Sequence, residues 1–388
     1  MLAHIEPTIS GQCDDDLIAV RDAFRQNFIE RGEVGAALCV IRDGEVVVDL
    51  CGGWADADRT RPWTHDTLVN FYSVGKAVVA TLVLQLVDRG VVTLDTPVAD
   101  VWPEFAAGDK HDVTIRQALC HRAGVPAIRQ TLTDDDVFDW PVMADALAAT
   151  PAWWPIDTRH AYHTNTYGHL TGEIIRRATG EMPGAVLRGV AAEIDADLWI
   201  GVPDIHQARC AEVIWEPSSP IDPAAIDTSA LDGDTLMNVL AHFNPPGYSS
   251  IGLVNTARWR SAQVPSTNGH GTARGLATFY SALLQPDRIL SPDLLSVATQ
   301  PQSSGVCPIL GDDVVFGLGF VPTTPRRPLG PNPHSFGHFG TGGALGFADP
   351  DAGIAFGYVM NHVIPRWQST RNRALIDSLY GALASAGS

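Results

Sequence analysis

Between Ser73 and Gly90 the chain reads Ser-Val-Gly-Lys-Ala-Val-Val-Ala-Thr-Leu-Val-Leu-Gln-Leu-Val-Asp-Arg-Gly, apolar almost all round and closing on a glycine suited to a helix C-cap. A helix without a polar stripe cannot lie on a surface, so the fold must cover it from every side. With 388 residues the chain has the material, enough for two or three domains or one large core with an insertion. The longest apolar run, Ala77 to Val87, contains Gln85 and is about half the length of a membrane span, which makes it a buried central helix rather than a bilayer segment.

Strand signals flank that helix at both ends of the chain. Val34 to Ile41 and Glu45 to Leu50 are β-branched runs joined through Asp43-Gly44, a strong hairpin signal, and apolar spacing predicts a helix over 15–31 before them. Val315 to Val321, Ser335 to Phe339, Ala344 to Ala348 and Ile354 to Met360 read as strands, and helices are expected over Thr272 to Leu284 and Gln368 to Ala384. The middle is mainly helical, with Thr114 capping Ile115 to Arg122 and Leu170 to Thr179 ending at Gly180. Residues 216–266, rich in Pro, Asp, Ser and Asn, read as a lid or long loop, and Asn268 to Gly271 as a turn. The expected class is α+β: an α/β sandwich domain, with an antiparallel sheet flanked by helices, from 1–105 and 270–388, and a mostly helical insertion with lid-like loops over 106–269, the site lying between them.

Charge and composition narrow the function. Twenty-six basic against 44 acidic residues leave a net charge of −18, which repels phosphate backbones and anionic lipid and argues against nucleic-acid or membrane partners. Residues 1–7 carry no basic or apolar export pattern, and the six scattered cysteines lack a CxxC pair, so the reading is a reduced, cytoplasmic protein. Only Lys76 and Lys110 are lysines; the other 24 basic residues are arginines. Arginine cannot surrender its proton, whereas a lysine in apolar surroundings can. Lys76 stands three residues after Ser73, which puts hydroxyl and amine on one helix face, with the helix N-terminus favouring negative charge at the serine. That is an activated serine nucleophile beside a lysine base. Lys110, within Ala107 to Asp112, reads as a solvated loop charge.

Three ordered segments carry a family resemblance: Ser73-x-x-Lys76, Tyr162-His163-Thr164-Asn165, and Phe336-Gly337-His338-Phe339-Gly340-Thr341-Gly342-Gly343. Together they resemble the serine hydrolases of the class C β-lactamase and penicillin-binding-protein superfamily, in particular the family VIII carboxylesterases. Leu119-Cys120-His121-Arg122-Ala123-Gly124-Val125-Pro126 and Phe356 to Asn361 support the match, which spans about residues 15 to 385. The resemblance implies a β-lactamase/transpeptidase-like fold with Ser73, Lys76 and Tyr162 as catalytic residues. It also implies an oxyanion hole from the Ser73 and Thr341 N–H groups, with His338, Phe339 and Gly340 on the substrate-binding strand. Tyr162 would share proton work with Lys76 if a neighbouring cation lowered its pKa. Tyr72, Trp153, Trp154 and Thr164 are candidates for an acyl pocket, with core packing an equal reading for the aromatic residues among them.

The sequence departs from the family pattern twice. Thr164 stands where β-lactamases carry asparagine two residues after the tyrosine, and His338 stands where many carry lysine, replacing a fixed positive charge with a mostly neutral ring. Both departures favour a neutral ester or amide over a β-lactam carboxylate. The expectation is therefore a carboxylesterase for short to medium acyl chains, acting on a small-molecule ester without cofactor or metal. An acyltransferase, an amide or lactam hydrolase, a weak β-lactamase, or a catalytically idle binding module are the alternatives. His160 and His163 lack an HExxH-type acidic partner and are not expected to bind metal.

Overall fold

The computed structural model describes residues 8–215, 226–250, 252–364 and 369–386. Seven strands form one antiparallel sheet in the order Ile9–Cys13, Glu45–Gly53, Gly35–Arg42, Ile354–Met360, Leu345–Asp349, Phe336–Phe339 and Val321–Pro322. The hairpin turns where expected, with Asp43 and Gly44 at φ 50° and 87°, the mirror-image turn that matches strand twist. Its first strand pairs with Ile354–Met360, so strands from the two ends of the chain join in mid-sheet.

Glycines let a helix close on one face of the sheet. Gly346 and Gly357 are cross-strand partners. A Cβ on Gly346 would stand 2.3 Å from the Tyr280 ring and one on Gly357 2.2 Å from the Ala273 carbonyl, both on the helix Ala273–Leu284. Tyr358 points to the opposite face, where the helices Ile18–Glu30 and Thr370–Ala386 pack together, and its hydroxyl reaches Glu33. The apolar helix runs from Gly75 to Asp88, buried from Gly75 to Leu86, against the helices Thr166–Thr179 and Pro183–Glu193. The structure is thus α+β.

Several expectations are corrected. The single strand over 315–321 is two: Asp312–Phe316 pairs with Ser303–Cys307 in a separate hairpin, and Val321–Pro322 joins the main sheet. The break falls at Gly317 to Gly319, where Gly319 (φ 84°) lies so near the central helix that a Cβ would come within 2.0 Å of Ala80 Cβ. Ile9–Cys13 is an unexpected edge strand with no apolar alternation to announce it. The helix capped by Thr114 stops at Leu119, and His121 turns at φ 65°. Asn268 to Gly271 is no plain turn, because Gly269–Gly271 bridges the strands Val69–Asn70 and Leu198–Ile200. Within the supposed lid, residues 216–225 and 251 lie outside the described residues, as do residues 1–7 and Gln368. The rest holds the helices Gly233–Phe243 and Ala257–Ser261, the first tied down by Asn238 to the Pro308 and Ile309 carbonyls.

Lys110 is not solvated. It is fully buried, and its Nζ donates to the carbonyls of Ala107, Ala148 (2.9 Å) and Thr150 (2.6 Å), closing the end of the helix Trp140–Ala149. Lys110→Met would strand these acceptors, and urea unfolding is expected to show a loss of about 2–4 kcal/mol. A loss below about 0.5 kcal/mol would restore the reading as a surface charge.

Candidate active site

Phe71 leads into a 3-10 turn, Tyr72–Val74, that runs directly into the central helix, and Tyr72 adopts φ 51°, a left-handed conformation costly for a large side chain. This bend sets Ser73 at the head of the helix, half-buried and therefore reachable. One turn on, Lys76 is fully buried. Its Nζ lies 3.0 Å from Ser73 Oγ, 2.7 Å from the Thr164 carbonyl and 3.1 Å from the Ser266 carbonyl. A neutral amine has two N–H groups and one lone pair. The carbonyls take the two N–H groups, leaving the lone pair to the Ser73 hydroxyl. Burial holds the Lys76 pKa well below its usual value, shifting the balance towards the neutral form.

The two carbonyls come from segments that glycine brings together. A Cβ on Gly75 would sit 2.6 Å from the Pro265 carbonyl, and one on Gly168 2.4 Å from the Ser266 nitrogen, so the 265–267 loop lies pressed between the two helices. Ser266 Oγ donates to the Asn165 carbonyl (2.6 Å) and Thr267 Oγ1 to Asn165 Oδ1 (2.9 Å), locking that loop to the residue after Thr164. Asn165 thus faces the scaffold, its amide donating to the Ala241 carbonyl at 2.9 Å. Thr164 Oγ1 is buried without a hydrogen-bond partner among the described residues.

Tyr162 is buried with its ring 4.8 Å from Lys76 Nζ and its phenol against Ser73. Its ring stacks on Phe316 (5.6 Å) and on His338 (6.3 Å), and its N–H donates to Cys307 Sγ at 3.2 Å. Contrary to the expectation of a lowered pKa, burial pushes the phenol up, the Ser73 hydrogen bond opposing it. Tyr162 therefore rests as a neutral phenol, an acid and not a base.

The Phe336–Phe339 strand passes on the other side. Gly340 has no room for a side chain: a Cβ would stand 2.3 Å from the carbonyl of Phe71, immediately before the Ser73 turn. Thr341 follows, half-buried, at the start of the turn Thr341–Gly343. His338 is buried with Nδ1 on the Phe339 carbonyl (2.8 Å), and burial takes its pKa down to about 3, so it brings no charge. Phe339 is buried and alternates to the opposite face of the strand from His338.

The remaining candidates have other occupations. The Tyr72 hydroxyl accepts from Ser250 Oγ (3.3 Å), and its ring meets Trp215 edge-on at 6.1 Å. Trp153 donates to the Ala127 carbonyl and lies under Arg129, 3.5 Å from ring centre to guanidinium, while Trp154 is buried with Arg159 at 5.4 Å. Both nitrogens of His163 are engaged, by the Ala161 carbonyl and the Val125 N–H, and among the described residues no group of three metal-ligating side chains occurs. The sequence reading missed Ser266, Cys307 and Phe316, and for Ser266 it could hardly have done otherwise, since the group used is a main-chain carbonyl.

A Ser-x-x-Lys turn on a buried helix, a tyrosine over the lysine and a Gly-Thr-Gly-Gly strand end define the β-lactamase/penicillin-binding-protein class of serine hydrolases. The Beta-lactamase family model matches residues 20–380, and the chain belongs to that family. It is 32% identical over 372 residues to the Esterase/beta-lactamase LipL of Mycobacterium tuberculosis (strain ATCC 25618 / H37Rv), covering 92% of this chain and 83% of the relative. Among solved structures, a family VIII carboxylesterase is 36% identical with TM-score 0.88, covering 97% of this chain and all of that one. A penicillin-binding-protein homologue from Caulobacter crescentus is 37% identical with TM-score 0.87 over the same shares. Among the described residues no helix is long and apolar enough to cross a membrane.

Burial also keeps His163, His169, His270 and His338 neutral, with pKa values taken down to about 4, 3, 4 and 3. Unfolding frees them to titrate near 6.5, so between roughly pH 6.5 and 4 the unfolded chain binds more protons and stability falls as pH falls. Each histidine contributes about 1.4 kcal/mol per pH unit inside that window. Urea unfolding at pH 7 and 5 checks this, and equal stabilities at the two values would refute it.

Proposed function

We propose that this protein is a serine hydrolase cleaving carboxylic esters of short to medium acyl chain through an acyl-Ser73 intermediate, in a cleft between the sheet domain of residues 1–105 and 270–388 and the helical insertion of 106–269. The observation that carries the reading is the buried amine of Lys76, 3.0 Å from Ser73 Oγ with the Thr164 and Ser266 carbonyls as its other two partners, which in its neutral form turns its lone pair to the hydroxyl. Lys76 takes the Ser73 proton as Oγ bonds to the acyl carbon. The carbonyl oxygen, now an anion, is received by the N–H groups of Ser73 and Thr341. On collapse, the C–O bond to the leaving alcohol breaks and Tyr162, resting as a neutral phenol, protonates that oxygen, recovering its proton from Lys76. In deacylation water bonds to the acyl carbon as its proton passes to the Tyr162 oxygen and the phenol hands its own to Lys76; collapse then breaks the bond to Oγ, Lys76 returns the proton to Ser73, and the carboxylic acid leaves.

The ester preference rests on the pocket chemistry. His338 stands uncharged where a carboxylate-bearing lactam would want a cation, and Thr164 offers a hydroxyl in place of an amide. The relative named Esterase EstB, of Burkholderia gladioli, supports the same choice, while LipL is named for both activities. Six free cysteines, five of them buried, suit a reducing, cytoplasmic setting, and the charge of −18 suits small neutral substrates better than nucleic acid or membrane surfaces.

A fluorophosphonate is expected to label Ser73, and a folded protein left unlabelled there would refute the mechanism. Lys76→Arg is expected to lower kcat by at least about a thousandfold, since guanidinium cannot accept the proton; retention of half the activity would assign the base role to Tyr162. A p-nitrophenyl ester should turn over faster than the matching anilide or nitrocefin, and the reverse order would move the substrate class to amides or lactams.

A further inference from the structure

The turn carrying Thr341 is held from behind by side chains that cannot reach a substrate. Arg371, at the start of the C-terminal helix, is 1% exposed. Its Nη2 donates to the Gly342 carbonyl at 2.7 Å and the His362 carbonyl at 2.9 Å, and its Nη1 to Glu33 Oε1 at 2.8 Å. The second oxygen of Glu33 accepts from Tyr358. The next residue, Asn372, donates to the Gly343 carbonyl at 3.0 Å.

These contacts fix more than the turn's position. Gly342 and Gly343 have φ of 84° and 116°, so their carbonyls point backwards, towards the two donors. With the Gly342 carbonyl anchored by Arg371, the Gly343 N–H of the same peptide is aimed at the Gly340 carbonyl, 3.1 Å away, while Asn372 fixes the next peptide, Gly343–Ala344, whose far residue supplies the carbonyl that receives the Gly340 N–H. That carbonyl shares a planar trans peptide with the Thr341 N–H and points the opposite way. Orienting the Gly340 carbonyl therefore orients the Thr341 N–H. Meanwhile the Gly340 N–H is spent on the Ala344 carbonyl at 2.7 Å, which fixes the preceding Phe339–Gly340 peptide and so the point from which the Thr341 peptide starts.

We propose that Arg371 and Asn372, with Glu33 holding Arg371 in place, are positioning residues that aim the Thr341 N–H at the oxyanion formed on attack by Ser73. The inference rests on the hydrolase reading, in which that N–H is an oxyanion donor. A buried ion pair is a poor source of net stability, because desolvation offsets much of its attraction. Its worth here is direction: a planar guanidinium spans two carbonyls and a carboxylate at once, which a lysine ammonium on a flexible stem does not.

The test separates geometry from folding. Arg371→Lys keeps the charge beside Glu33 but loses the fork, and Asn372→Leu keeps the volume but loses the donor. Each variant is titrated with a fluorophosphonate, whose tetrahedral phosphorus places an oxygen where the oxyanion would lie. The final stoichiometry counts competent molecules, and the rate constant reports how well the site stabilises that oxygen. The expected result is a rate constant reduced about tenfold to a hundredfold at stoichiometry near that of the wild type. Reduced stoichiometry with an unchanged rate constant would overturn the proposal, making both side chains merely structural. Should Arg371→Lys fail to fold, Asn372→Leu decides alone. A wild type that is never labelled at Ser73 would instead overturn the hydrolase reading itself.

Discussion

The site depends on the contact of the Lys76 amine with the carbonyls of Thr164 and Ser266. An ammonium needs three acceptors, and in a pocket that excludes water two carbonyls and a hydroxyl are what it finds. Because the hydroxyl can donate as well as accept, the same three contacts hold the neutral amine, and burial pushes the equilibrium towards it. The apolar helix that wraps Lys76 in hydrocarbon and the loop that brings Ser266 to it are thus parts of one device. A more polar helix would leave the amine solvated, and a looser loop would leave an N–H without an acceptor.

Assembly of that device is a matter of close approach, which explains where glycine recurs. Gly75 admits the Pro265 carbonyl, Gly168 the Ser266 amide, Gly319 the side chain of Ala80 and Gly340 the carbonyl of Phe71. Three segments distant in sequence, at Pro265, Gly319 and Gly340, converge on residues 71–80, and the helix of Gly168 closes on the first of them, each where a Cβ would collide. The candidate catalytic groups stand at these crossings because backbone carbonyls and amides reach the serine and lysine only where the chains nearly touch.

Much of this was legible in the sequence, and the reason differs from element to element. The hairpin at Asp43-Gly44, the strand Ile354–Met360 and the helix ending at Gly180 are local patterns with local causes, and they appear as read. Ser73 and Lys76 could be singled out because side-chain chemistry carries their signal, whereas Tyr162 and His338 came only with the family resemblance. Ser266 could not, since any residue can present a carbonyl, and the pressure of the 265–267 loop on Gly75 and Gly168 exists only in three dimensions. The strand over 315–321 failed for the same reason: its apolar residues promised continuity, while the path of the central helix beneath Gly319 demanded a break. For Tyr162 the sequence supplied the residue but not its charge state, which follows from burial that no pattern encodes.

The contrast between the two lysines sharpens the point. Both are buried with their amines among main-chain carbonyls, yet one has three such acceptors and the other two. Lys110 donates to all three, and its pKa, although drawn down by burial to about 8, stays on the charged side of neutrality. At Lys76 the third place is taken by the Ser73 hydroxyl, which can give a proton as readily as receive one. Replacing one carbonyl acceptor by a hydroxyl changes what the amine can do. The first arrangement seals a helix end with a cation, and the second, in the proposed mechanism, holds a base against a nucleophile. A chain that otherwise uses arginine for its positive charge keeps lysine at two places where an amine of three donors, or two donors and a lone pair, fits and a planar guanidinium does not.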